Sequence, residues 1–173
     1  YVMHDWCICS SEDLVDWTIE SFPRPEDTYI GPTDGCWATD AAERNGQYYF
    51  YFSHANISTG VMVSRDPGKG FRDALGHPLL PEGLTPTRSY DPAVFIDDDE
   101  QASPYIVFGT PVWANGDSYY IARLNEDMIS LAETPRKLLL NHEGSDKPAL
   151  HKYGGRYYLT YGSHFAAADN VYG

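Results

Sequence analysis

The chain has 173 residues, 42% of them apolar and 14% aromatic, with 25 acidic against 12 basic side chains and a net charge of −13. That size suits one hydrophobic core, and that composition is not that of a disordered chain. The negative charge argues against nucleic acid and anionic membrane surfaces as partners, and it leaves a neutral ligand such as a carbohydrate open.

No apolar run approaches the roughly 20 residues of a membrane-spanning helix, no leader segment is evident, and the compartment stays unassigned. From the first residue onward the pattern is strand and turn. "YVMHDWCICS" (1–10) reads as a strand leading into the polar turn "SSEDLVDW" (10–17). Cys7 and Cys9 share one face of that strand, and together with Cys36 they are expected to be buried free thiols, since a metal site would need more ligands. "CWATDAAERNGQYYFYFS" (36–53) is a short strand, an Asn-Gly turn and an aromatic strand. Asn56-Ile57-Ser58 fits a glycosylation acceptor. A second polar turn, "SRDPGKGF" (64–71), follows. "PAVFIDDDEQASPYIVFG" (92–109), the turn "LNEDMISL" (124–131) and "PALHKYGGRYYLTYG" (148–162) then repeat the same order of pieces.

The anchors Thr39, Pro92 and Pro148 stand 53 and 56 residues apart. A period near 50 with short strands in each unit is the mark of a β-propeller blade. A β-sandwich also has frequent turns, but the constant order of pieces within each period favours the propeller. Blade pieces fall at roughly 1–35, 36–85, 86–142 and 143–173, about three blades in all. Closure of a ring would require residues beyond both ends, or self-association with another chain.

"SSEDLVDWT", "CWATDAAERNGQYYFYFS", "SYDPAVFIDDDE", "LNEDMISL" and "KPALHKYGGRYYLTYG" together resemble glycoside hydrolase family 43 over nearly the whole chain. The resemblance implies an all-β fold, a five-bladed β-propeller with its active site on the axis. It also implies hydrolysis of β-D-xylosides or α-L-arabinofuranosides in plant cell-wall polysaccharide, with inversion at the anomeric carbon. Inversion uses two opposed carboxyl groups about 6.5–9.5 Å apart with a water between them. The family adds a third acid that orients the proton donor and raises its pKa.

Asp91 precedes the first, innermost strand of its blade, where strand starts open onto the axis. By resemblance it is the third acid; without the resemblance, Asp before Pro equally caps a turn. Asp97, Asp98 and Asp99 lie roughly 20 Å along that strand, at ~3.3 Å per residue, and are expected to form a solvated hairpin turn. The general acid is expected at Asp146, the residue two before Pro148, or at Glu143 if the loop bulges; the cation of Lys147 is awkward beside a proton donor. Only Asp5 is an early candidate for the base, and its match is poor, so the base is expected outside these residues. Trp37, Asp40, Tyr90 and Trp113 are candidate substrate contacts, and His164 reads as a turn residue. No cofactor is needed for this chemistry, and a structural calcium is compatible with it but has no sequence signal. The implied partner is a xylo- or arabino-oligosaccharide. A sugar-binding module without catalysis, or an inactive remnant, is the competing reading. An invertase-like hydrolase would show Arg-Asp-Pro where this chain has Tyr90-Asp91-Pro92.

Overall fold

A computed structural model describes residues 2–110, 117–142, 144, 146–162 and 164–172. Its elements are β1 (Ile8–Ser10), β2 (Thr18–Ser21), a 3-10 turn (Pro25–Asp27), β3 (Thr39–Arg44), β4 (Gln47–His54), β5 (Ser58–Ser64), β6 (Arg72–Asp73), β7 (Ala93–Ile96), β8 (Pro104–Gly109), β9 (Tyr119–Arg123), β10 (Arg136–Lys137), β11 (Ala149–Tyr153), β12 (Arg156–Tyr161) and β13 (His164–Ala168). They form four antiparallel sheets in meander order: β1-β2, β3-β4-β5-β6, β7-β8-β9-β10 and β11-β12-β13.

Two of the inner hairpins close on two-residue turns whose central residues both have positive φ. In Asn45-Gly46 the angles are 55° and 71°, and in Gly154-Gly155 they are 59° and 79°. This is the mirror-image turn whose twist matches antiparallel strands, and Asn and Gly adopt it at little steric cost. These turns set the register of both hairpins, from Thr39 opposite Phe52 and from Ala149 opposite Thr160.

Side-chain alternation then stacks the sheets. Along β4, Tyr51 faces a core shared with Ile106, Phe108 and Leu124, while Phe52 faces another with Trp6, Cys36 and Met62. Along β8, Ile106 and Phe108 point one way, and Tyr105 and Val107 point the other, against Ile121, Leu159 and Tyr161. A strand that buries both faces has a sheet on either side of it. Each such core residue contributes on the order of 1.5–3 kcal/mol. The inner strand β7 lies beside both β3 and β11, so three inner strands run side by side around one axis. This is the blade arrangement the repeat predicts.

On the face away from the strand starts, neighbouring sheets are tied hairpin to hairpin. Arg44 donates to the carbonyls of Ala102 and Gln101. Asp97 accepts from Lys152 Nζ at 2.7 Å and from the Tyr157 hydroxyl at 2.5 Å. The expectation of a solvated acidic turn therefore fails for Asp97, which is 5% exposed. It holds a cation of the next sheet, while Asp99 caps the turn through the Ser103 amide at 2.8 Å. The expected burial of the thiols is met by Cys36 alone. Cys7 and Cys9 are exposed on a shared outward face with Sγ atoms 3.5 Å apart, and all three are free.

Candidate active site

The first residues of the inner strands meet at a cleft of about 500 Å³ lined by Trp37, Ala38, Asn56, Tyr90, Asp91 and Asp146. Trp37 and Ala38 precede β3, Tyr90 and Asp91 precede β7, and Asp146 precedes β11. Residues 54 and 109 apart in sequence thereby become neighbours.

Asp91 is held by the preceding blade. Its amide donates to Ser53 Oγ at 3.0 Å, and the Ala38 amide donates to its carboxylate. It sits in the left-handed region at φ 54°, where a short polar side chain is among the few that fit. Burial pushes its carboxyl up to about 6. The Ala38 hydrogen bond opposes that shift, the charge of Asp146 adds to it, and Lys147 opposes it. The carboxyl is thus within reach of both protonation states near neutral pH.

Asp146 is exposed to the cleft and also left-handed, at φ 82°. Two bonds shape its loop. The Lys147 amide donates to its carboxylate at 3.1 Å, and the buried Tyr119 hydroxyl donates to its main-chain carbonyl. Burial raises the pKa of Tyr119 well above its ordinary value, and the charges of Asp91, Tyr90 and Asp146 add to this, so it stays a donor.

The Lys147 ammonium forms no ion pair with Asp91 or Asp146 among the described residues. Its Nζ lies 3.6 Å from Asp40 Oδ1, and Asp40 Oδ2 accepts the Val94 amide at 2.7 Å. Asp40 therefore bridges β3, β7 and the segment before β11, behind the cleft wall. Tyr90 is half-buried in that wall; desolvation raises its pKa, and a hydrogen bond with Thr110 opposes the shift. Glu143 and Trp113 lie outside the described residues. Asp5 lines a different concavity with His4, Arg24 and Asp34. His164 opens β13 and stacks on His142 with centroids 5.2 Å apart.

Three features of the cleft and of the support behind it escape the repeat pattern: the Ala38 amide, the buried Ser53 hydroxyl and the Asn56 side chain. One signal was available. In an antiparallel hairpin the end of β4 returns beside the start of β3, so residues 53–56 must reach the same face. Asn56 borders the cleft and Ser58 is buried with its hydroxyl 2.9 Å from that of Tyr29. A glycan at the Asn56-Ile57-Ser58 acceptor pattern would lie in the cleft. Among the described residues no group of three or more His, Cys, Asp or Glu side chains is arranged to hold a metal ion.

The sequence model of glycosyl hydrolases family 43 matches residues 2–170. The chain belongs to that family. Among its relatives, a xylosidase/arabinosidase of Bacteroides ovatus is 28% identical over 99% of this chain and 64% of its own length. An arabinoxylan arabinofuranohydrolase of Bacillus subtilis is 29% identical over 89% of this chain and 34% of its own. A family 43 β-xylosidase/α-arabinofuranosidase from a compost metagenome, crystallised with xylotriose, superposes with a TM-score of 0.81 at 26% identity, covering 99% of this chain and 64% of that one. The chain thus spans about a third to two thirds of the length of these relatives. The family fold is the five-bladed β-propeller, and the sheets described here are part of one.

Proposed function

We propose that the protein is a glycoside hydrolase acting on β-D-xylosides or α-L-arabinofuranosides by an inverting, carboxylate-based mechanism. The observation that carries this reading is the convergence of Asp91 and Asp146, with Trp37 and Tyr90, on one axial cleft. Asp146 is the assigned proton donor, with Glu143 the competing assignment. Its solvent-facing carboxyl sits at the cleft wall, and Asp40 holds the neighbouring cation aside. Asp91 is the orienting acid, held in the same cleft by the Ser53 hydroxyl and the Ala38 amide. The aromatic faces of Trp37 and Tyr90 suit the apolar face of a pentose ring. No base is assigned within the described cleft, where Asp91 and Asp146 are the carboxylates present.

The full-length protein is to be assayed on nitrophenyl β-D-xylopyranoside and α-L-arabinofuranoside, with NMR detection of the anomer first released. The expected outcome is release of the inverted anomer, with Asp91→Asn lowering kcat by about 10²–10⁴. A proton-donor variant keeps most of its rate on a dinitrophenyl leaving group, which needs no proton, so Asp146→Ala and Glu143→Ala distinguish the two assignments. Undiminished turnover in Asp91→Asn would remove it from the mechanism. Xylotriose binding without any turnover would mark a sugar-binding module.

A further inference from the structure

Among the described residues, the segment between β10 and β11 that carries Asp146 belongs to no strand, so its carbonyls need partners from elsewhere. Three of them each accept a hydroxyl from a different element. The Tyr161 hydroxyl, at the end of β12, donates to the His142 carbonyl at 3.3 Å. The Thr110 hydroxyl, just past β8, donates to the Gly144 carbonyl at 3.5 Å. The Tyr119 hydroxyl, at the start of β9, donates to the Asp146 carbonyl. We propose that these three hydroxyls position the proton donor, so that Tyr119, Tyr161 and Thr110 are positioning residues for protonation of the departing oxygen. This rests on the glycosidase reading above. Glu143 falls between the first two anchored carbonyls in the sequence, so the inference holds under either assignment of the donor.

The first ground is that the anchors are themselves fixed. Tyr119, Tyr161 and Thr110 are all buried. The two phenol rings meet edge to face with centroids 5.6 Å apart, in a core shared with Val107, Ile121 and Leu159. Burial raises the pKa of both phenols above the ordinary value, so both stay donors. Side chains locked by packing hold a functional group more precisely than a loop holds itself.

The second ground is the fit of the segment over Tyr161. A Cβ added at Gly144 would lie 2.6 Å from Tyr161 Cδ2 and 3.0 Å from Cε2, so the backbone rests directly on the ring. The His142 imidazole stacks on that of His164 at 5.2 Å, and His164 packs 5.6 Å from the Tyr161 ring. The segment cannot settle lower, and the hydroxyls keep it from lifting.

The third ground is the link to the other acid. Thr110 is hydrogen-bonded to Tyr90, the neighbour of Asp91. The Thr87 hydroxyl holds Thr110 in turn, accepting its amide at 3.3 Å and donating to its carbonyl at 3.2 Å. The donor segment is thereby registered to the segment of the orienting acid. Proton transfer needs heavy atoms within about 2.6–3.2 Å of each other, and a misplacement of about 1 Å can slow a reaction by about 10²-fold.

The test uses the full-length protein on the methyl and dinitrophenyl glycosides of xylose and arabinose. The methyl glycoside leaves as methanol only when its oxygen is protonated, whereas dinitrophenolate leaves without a proton. Tyr119→Phe and Tyr161→Phe keep the rings and remove only the hydroxyls. In both, the ratio of kcat/KM on the methyl glycoside to that on the dinitrophenyl glycoside is expected to fall about tenfold, the effect of a misplacement of a fraction of an ångström. Tyr105→Phe is the control: this buried tyrosine belongs to the same core but packs on Tyr172, and its ratio should equal that of wild type. If a tyrosine variant does not fold, Thr110→Val and Thr110→Ser, which lose and keep the hydroxyl, make the same comparison, with the fall expected in Thr110→Val alone. An unchanged ratio in either phenylalanine variant overturns the inference and leaves the glycosidase reading standing, even where Tm falls, because a lower Tm alone is what a structural role gives. An equal fall in Tyr105→Phe overturns it too. A wild-type protein that hydrolyses neither glycoside overturns the glycosidase reading, and this inference with it.

Discussion

Replacing Asp97 by Asn measures how much one inter-sheet tie on the far face contributes to folding. The carboxylate is 5% exposed and accepts from Lys152 Nζ at 2.7 Å, the Tyr157 hydroxyl at 2.5 Å and the Asp98 amide at 2.8 Å. Asparagine keeps one acceptor oxygen and turns an NH2 toward the remaining donors, so one or two of the three bonds are lost. Hydrogen bonds to charged groups are worth about 1.5–3 kcal/mol each. Lys152 keeps Asp98 as a partner, so no cation is stranded, and the expected loss of about 2–3 kcal/mol falls short of the ~3–5 of a broken buried pair. Urea denaturation of the variant beside Asp98→Asn, whose side chain is 78% exposed, is the assay, and the control should lose far less. The pH dependence adds a second arm. Desolvation pushes the Asp97 pKa up, but the bonds from Lys152, Tyr157 and the Asp98 amide outweigh it and leave it below the usual carboxylate range. A depressed folded pKa gives stability that is present above the unfolded value of about 3.9 and lost as pH falls through the lower folded one. The gap between wild type and variant should therefore hold from pH 7 to 5 and close below about 4. Equal stability of the Asp97 and Asp98 variants at pH 7 would refute the reasoning.

Asp91→Asn should behave in the opposite sense: its folded pKa of about 6 lies above the unfolded value, so ionisation destabilises the native state as pH rises between the two. The variant is expected to exceed wild type by about 1–3 kcal/mol at pH 7.5 and to match it below pH 4, as read by denaturant midpoints. Asp40→Asn keeps an acceptor for the Val94 amide but removes the charge opposite Lys147. The freed cation lowers the Asp91 pKa, so the acid-side inflection of kcat/KM should move to lower pH, and an unmoved profile would count against it. Gly109→Ala should cost about 2–4 kcal/mol in thermal unfolding, because φ is 99° and an added Cβ would meet Thr87 Cγ2 at 2.5 Å.

The repeat made the blades legible because alternation along Tyr49–Phe52 and Tyr105–Phe108 requires a partner on each side of the sheet. It placed Asp91 at the axis for the same reason: every unit turns toward the centre at the same step. Other features depend on partners remote in sequence. Asp97 looks like part of a solvated acidic run until Lys152 and Tyr157, 55 and 60 residues on, arrive from the next sheet. Lys147 looks from the sequence like the partner of the adjacent Asp146 until Asp40 is seen to face its ammonium. The period-2 rule put Cys7 and Cys9 on one face, but it cannot say which face is covered. Asn56 carried a motif of its own that drew attention from where its hairpin ends.

The support of Asp91 by Ser53 and Ala38 bears on how such a protein can diverge or be re-engineered. The acid is encoded in one repeat and its environment in the one before, so the inheritable unit of reactivity is the seam between repeats. Chimeras cut between consecutive repeats would carry the aspartate into a setting without its hydroxyl and amide partners. Crossovers placed in the outermost strands, away from the seam, would transmit the acid and its acidity together.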